Sequence, residues 1–87
     1  MFRLTSFLQR RPDRSHAGFL DYWWREHSPV AAALPGLRRY STTRPIDPAA
    51  TTYDGVAELY FDSREAFDRV LGPGADTEAM NDVPRFI

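Results

Sequence analysis

The stretch Tyr53-Asp54-Gly55-Val56-Ala57-Glu58-Leu59-Tyr60-Phe61, running straight into Asp62-Ser63-Arg64-Glu65, decides the fold. Side chains alternate across a strand, so Val56, Glu58 and Tyr60 share one face while Ala57, Leu59 and Phe61 share the other. Asp62 with Glu65 three residues on is a variant capping box that opens a helix. Ala66, Phe67, Val70 and Leu71 then recur at helical spacing, and Gly72-Pro73-Gly74 ends the run. A half-buried strand therefore feeds directly into an amphipathic helix.

Upstream, the reading extends to two more strands and a helix. Phe2–Gln9 is rich in strand formers, and Leu37–Arg44 reads as a second strand. Between them, Arg11–Ser15 is turn chemistry with two candidate caps, Asp13 and Ser15. His16–His27 then shows helical spacing, with Phe19, Leu20, Trp23 and His27 on one stripe. Ser28-Pro29 predicts a fresh helix start capped by Ser28, running to Leu34 and halted by Pro35-Gly36. Pro45–Thr52 is a polar loop, Ala75–Val83 holds one weak helical turn, and Pro84–Ile87 begins an element that the chain does not finish. The order is β-α-β-β-α, a ferredoxin-like α+β unit without its fourth strand. That leaves an edge on the first strand, for which a partner subunit, or further chain carrying the missing strand, is the natural cover.

Composition narrows the chemistry. The 87 residues make one domain (1–87), and 43% hydrophobic with 26% charged is ordinary globular usage. No cysteine is present, which removes disulfides and thiolate chemistry. All 11 basic residues are arginine, so no lysine Schiff base can form. No glycine pattern makes a phosphate-cradling loop. The longest apolar run, Val30–Leu34, is far short of a membrane span, and no signal-peptide core follows Met1, so a cytoplasmic protein with no membrane partner is expected. Residues 1–44 carry eight Arg against Asp13, Asp21 and Glu26, a net of +5; residues 45–87 carry three Arg against nine acids, a net of −6. The two halves are expected to interleave and neutralise each other.

Three segments together carry a resemblance: Phe19-x-x-Tyr22-Trp23-x-x-x-His27-Ser28-Pro29, then Leu34-Pro35-Gly36-Leu37-Arg38-Arg39-Tyr40, then Tyr53–Phe61 with Asp62-Ser63. In this order and spacing they resemble the EthD family of the dimeric α+β barrel superfamily, over about residues 2–71 and more loosely through Asp82-Val83-Pro84-Arg85-Phe86. The resemblance implies a homodimer of ferredoxin-like subunits, each with an apolar pocket between helices and sheet. Roles in that superfamily span accessory proteins of ether degradation, cofactor-independent oxygenases and cyclases of polyketides, isomerases, decarboxylases and haem proteins, so the fold leaves the chemistry open.

His27 is the first candidate for chemistry. The helix end favours the imidazolium and burial beside Trp23 favours the neutral ring, opposed pushes that suit a proton carrier. A histidine that merely bonds loop backbone is the alternative. The resemblance tips the reading, because His27 and Tyr40 match positions that are functional in an isomerase relative. Tyr40 would then steady an oxyanion, against the plain reading of a core tyrosine with its hydroxyl at the rim. Glu58, a mid-strand carboxylate, either pairs with an arginine at a dimer contact or serves as a pocket acid. Trp23, Phe7 and Tyr60 are expected to pack, with some lining an aromatic pocket for a small, flat, apolar or lactone-like metabolite.

No cofactor is demanded by these residues. His16 and His27 stand eleven positions apart, about 16 Å along a helix, too far to share a metal ion. A haem on His27 alone remains open. An RNA-recognition module shares the strand order, but Asp54 and Glu58 on its binding strand would repel phosphate, so nucleic acid is rejected as a partner. The expectation is an enzyme that moves a proton, with His27 as acid–base, ending in isomerisation or oxygenation. The competing expectation is a non-catalytic accessory or ligand carrier.

Overall fold

A computed structural model describes residues 1–87. Strand β1 (Phe2–Leu8) leads through Ser15, whose hydroxyl accepts from Gly18 N–H, into helix α1 (His16–Tyr22). A π-helical turn, Trp23–His27, joins α1 to helix α2 (Ser28–Ala32), and Gly36 at φ 81° turns the chain into β2 (Leu37–Thr43). After a 3₁₀ turn at Pro48–Ala50 come β3 (Gly55–Phe61), α3 (Arg64–Leu71), α4 (Glu78–Asp82) and a final 3₁₀ turn, Val83–Arg85.

The sheet has three strands in the order β1-β3-β2, both pairings antiparallel, as a ferredoxin-like α+β unit lacking its last strand requires. Leu4, Leu59 and Tyr40 lie in one register row, and Ser6, Ala57 and Thr42 in the next. The β3 alternation is as sharp as its sequence: Gly55, Ala57, Leu59 and Phe61 are buried, while Val56, Glu58 and Tyr60 are half-exposed. All helices pack on the first face, where Phe19, Trp23, Phe61 and Phe86 are the largest fully buried side chains. Gly55 lets the Trp23 indole lie against the start of β3; a Cβ there would overlap the ring.

Three local expectations give way to tertiary partners. The chain does not break at Ser28-Pro29: Ser28 is helical (φ −59°, ψ −39°), and its N–H reaches five residues back to Trp23. Proline brings no N–H and crowds the preceding turn, and widening that turn absorbs both defects without ending the helix. Ser28 cannot cap because its hydroxyl engages Tyr40, at 3.2 Å. At α3 the cap is Ser63, which accepts from Ala66 N–H, while Asp62 is drawn off by the Arg38 guanidinium at 2.7 Å. Pro84–Ile87 does not trail off as the start of an element: a 3₁₀ turn over Val83–Arg85 folds it back onto the core. Arg11 N–H bonds the Phe86 carbonyl, and the Arg11 and Arg14 guanidinia hold those of Pro84 and Arg85, pinning Phe86 in the core.

The two charge halves do interleave. Arg3 meets Glu58, Arg10 meets Asp54 and Arg38 meets Asp62, each pair joining the basic half to the acidic one.

Candidate functional site

The site grows from the π-helical turn. Widening the helix there keeps Trp23 and His27 on its buried side, at 1% and 8% exposure, while Trp24, Arg25 and Glu26 face outward. His27 then meets the carboxyl terminus of the chain. Its Nδ1 lies 2.8 Å from Asp82 Oδ2, and Phe86 packs on the imidazole with ring centroids 4.7 Å apart. The other carboxylate oxygen, Asp82 Oδ1, accepts from Tyr22 O–H at 2.6 Å, and Arg85 Nη1 stands 3.5 Å away.

Burial alone would push the Asp82 carboxyl up. The hydrogen bonds from Tyr22 and His27, with the charges of His27 and Arg85, outweigh it and hold the group below its ordinary value. The same bond to Asp82, together with desolvation, raises the Tyr22 phenol. An ionised Asp82 accepts from Nδ1–H, which selects the tautomer whose Nε2 is a free base. Nε2 has no protein partner, and His27 lines an apolar cavity of the fold.

That cavity measures about 120 Å³ and lies between the sheet and the helices, bounded by Leu4 and Leu8 of β1, Ala57 and Leu59 of β3, Leu34 after α2, and Phe86. Thirteen of its fifteen lining residues are hydrophobic. Ser6, His27 and the Tyr40 hydroxyl are its polar points. Tyr40 Oη accepts from Trp23 Nε1 at 3.1 Å, with Ser28 Oγ at 3.2 Å. Either hydroxyl can donate in the Tyr40–Ser28 bond, and when Ser28 donates the Tyr40 proton is left for a ligand. A base and a hydroxyl donor thus border one apolar chamber.

The family model described as "EthD domain" matches residues 11–87. The chain belongs to the EthD family. A solved structure, an ethyl tert-butyl ether d (EthD) family protein from Bacillus halodurans C-125 at 1.40 Å resolution, superposes with a TM-score of 0.68 at 21% identity. The alignment covers 94% of this chain and 79% of that one, a likeness of fold. None of the curated proteins matches the sequence.

In this EthD domain the six residues singled out from sequence divide between two faces. His27, Tyr40 and Trp23 come together at the cavity. Phe7, Tyr60 and Glu58 point to the bare face of the sheet. Phe7 is 66% exposed and edges onto Tyr53; Glu58 pairs with Arg3 at 3.5 Å; Arg39 lies over the Tyr60 ring. Strand alternation separates the faces, and only the packed helices show which one holds the cavity. Sequence reasoning missed Asp82 as the partner of His27, and Tyr22 as a donor to Asp82. The signal was the aspartate in the loosely matching Asp82–Phe86 segment.

His16, at the start of α1, has its own carboxylate, with Nδ1 2.9 Å from Asp54 Oδ1. No group of three or more His, Cys, Asp or Glu side chains is gathered as for a metal ion, and no helix of the EthD chain is long and apolar enough to cross a membrane.

Two aspartates, the buried Asp82 and the half-buried Asp54, set the acid limit of this domain. In Asp54, as in Asp82, burial raises the carboxyl; hydrogen bonds from Arg10 N–H and His16, and their charges, bring it below the ordinary value. A carboxyl depressed on folding contributes stability that is full above about pH 4, its unfolded value, and is lost as the pH falls through the folded value. Urea midpoints should therefore hold from pH 7 to about 4 and fall below it. Asp82→Asn should flatten that fall; a variant losing stability in parallel with the parent would remove Asp82 from the account.

Proposed function

We propose that this chain binds a small apolar carbonyl metabolite in the cavity and moves a proton on it, with His27 as base and Tyr40 as oxyanion donor. The observation that carries the reading is His27 itself, with Nδ1 held by Asp82 and unpartnered Nε2 on a residue that borders an apolar chamber. His27 Nε2 takes a proton from the carbon beside a carbonyl, and the C–H electron pair moves onto the carbonyl oxygen. The resulting enolate is steadied by the Tyr40 O–H. Asp82 stabilises the imidazolium so formed. Returning the proton to another carbon completes an isomerisation, and capture of the carbanion by dioxygen would make an oxygenation; both begin with the same deprotonation.

A haem fits this chamber poorly. His27 with a carboxylate on Nδ1 suits an axial ligand, but about 120 Å³ does not admit a macrocycle. A homodimer is part of the proposal, supported by the bare sheet face that presents Phe7, Val56 and Tyr60. Sedimentation should show a dimer at micromolar concentration that Phe7→Glu dissociates, and a parent sedimenting as a monomer would overturn it. A cytoplasmic setting belongs to the same reading, since small secreted domains lean on disulfides and this chain has no cysteine.

The deciding experiment uses α-angelica lactone in D₂O. The protein should speed deuterium entry at the ring carbon and the shift of the double bond, followed by proton NMR. Binding without any exchange would leave a ligand carrier and end the enzymatic reading.

A further inference from the structure

We propose that the cavity selects an uncharged carbonyl compound built on a single five- or six-membered ring, and rejects both fused rings and carboxylates. The inference rests on the ligand reading above and narrows its substrate class by size and charge.

Size comes first. The chamber of about 120 Å³ is somewhat smaller than a cavity of about 150 Å³ that takes benzene, so a single ring fills it. The helix-side and central-strand walls are not readily moved outward. Trp23, Phe86 and Leu34 are buried in the main core cluster, and the sheet residues Ala57 and Leu59 belong to it too. A second fused ring would exceed this volume and would have to push aside a half-buried wall residue such as Leu4 or Leu8, or project out of the chamber and leave its apolar surface in water.

Charge comes second. No arginine is among the lining residues, and the chain has no lysine. His27 is the single lining residue able to become a cation, and any charge it carries is already matched by Asp82, 2.8 Å away. A ligand carboxylate would enter an apolar space with no free counter-charge and with an aspartate behind the one ring it could reach, which is strongly unfavourable.

A pure hydrocarbon is disfavoured by the third observation. Trp23 Nε1–H donates to the Tyr40 oxygen, and the Ser28 hydroxyl beside it can turn to donate as well, which releases the Tyr40 proton to a ligand acceptor. A carbonyl oxygen supplies one, and places the adjacent carbon within the chamber that His27 borders. The ring body then lies toward Leu4, Leu8 and Leu59, which offer only apolar contact.

The test is an NMR titration of the full chain with four probes: cyclohexanone, 1-tetralone, cyclohexanecarboxylate and methylcyclohexane. Cyclohexanone should bind at least tenfold more tightly than 1-tetralone and cyclohexanecarboxylate, shifting the His27 and Tyr40 resonances. Its advantage over methylcyclohexane should vanish in Tyr40→Phe. Leu4→Ala, which enlarges the chamber from a half-buried position, should raise 1-tetralone affinity severalfold. Equal or tighter binding of 1-tetralone or the carboxylate to the parent, with those same resonances shifting, overturns the size or charge rule and leaves the proton-transfer reading standing. Failure of every probe to shift His27 and Tyr40 overturns the ligand reading itself.

Discussion

Phe86→Ala is expected to lower the unfolding free energy by about 3–5 kcal/mol, the usual cost of deleting a buried phenyl ring. Phe86 is fully buried and touches three rings, with centroids 5.7 Å from Phe19, 5.4 Å from Tyr22 and 4.7 Å from His27. A domain of this length commands roughly 4–13 kcal/mol in total, so the loss is a large share of it. The melting temperature should fall by roughly 15–30 °C. Ile46→Ala is the contrast, since Ile46 is fully exposed and its truncation should stay within about 0.5 kcal/mol. A Phe86 variant melting within a few degrees of the parent would mean that the last turn is not part of the core. The ring also holds the imidazole, so sub-denaturing conditions should show His27 freed before α3 unfolds.

His27→Ala should lower the rate of lactone exchange by about 10²–10⁴-fold, the range for losing a positioned general base, while ligand affinity changes by less than about threefold. The asymmetry follows from geometry. Binding rests on the apolar walls that the substitution leaves in place, and proton removal rests on one unpartnered nitrogen. Truncation also strands Asp82, which keeps Tyr22 and Arg85 as partners and so remains paired. The fold should accordingly survive, and melting should report a loss nearer 1–2 kcal/mol. Equal falls in rate and affinity would recast His27 as a binding contact. An unchanged rate would remove it from the chemistry.

Much of this molecule is legible in short-range pattern. The period-2 alternation of 55–61 and the helical stripes at 16–27 and 64–71 specify one strand and two principal helices, and the strand formers at 2–9 and 37–44 add two strands, because these signals depend only on residues close along the chain. The His27 and Tyr40 motifs, read with the Tyr53–Phe61 strand, are enough to identify the EthD family. Turn and cap chemistry was less secure. Ser28 and Asp62 both look like caps, yet each is claimed by a partner remote in sequence, Tyr40 and Arg38. A hydroxyl or carboxylate can serve only so many donors, and which it serves is settled by what tertiary packing brings within about 3 Å.

Sequence alone thus determined the order of elements, the family, and the identity of the histidine and tyrosine at the cavity. Tertiary structure decided which sheet face the helices cover, and so why Phe7, Glu58 and Tyr60 stand outside the chamber that Trp23 helps to line. It also decided that Asp82, 55 residues from His27, holds Nδ1. Local periodicity records which side chains share a face; it carries no record of what that face will meet. That choice is made by long-range burial, when the arginine-pinned carboxyl-terminal turn sinks Phe86 against α1 and carries Asp82 to the imidazole.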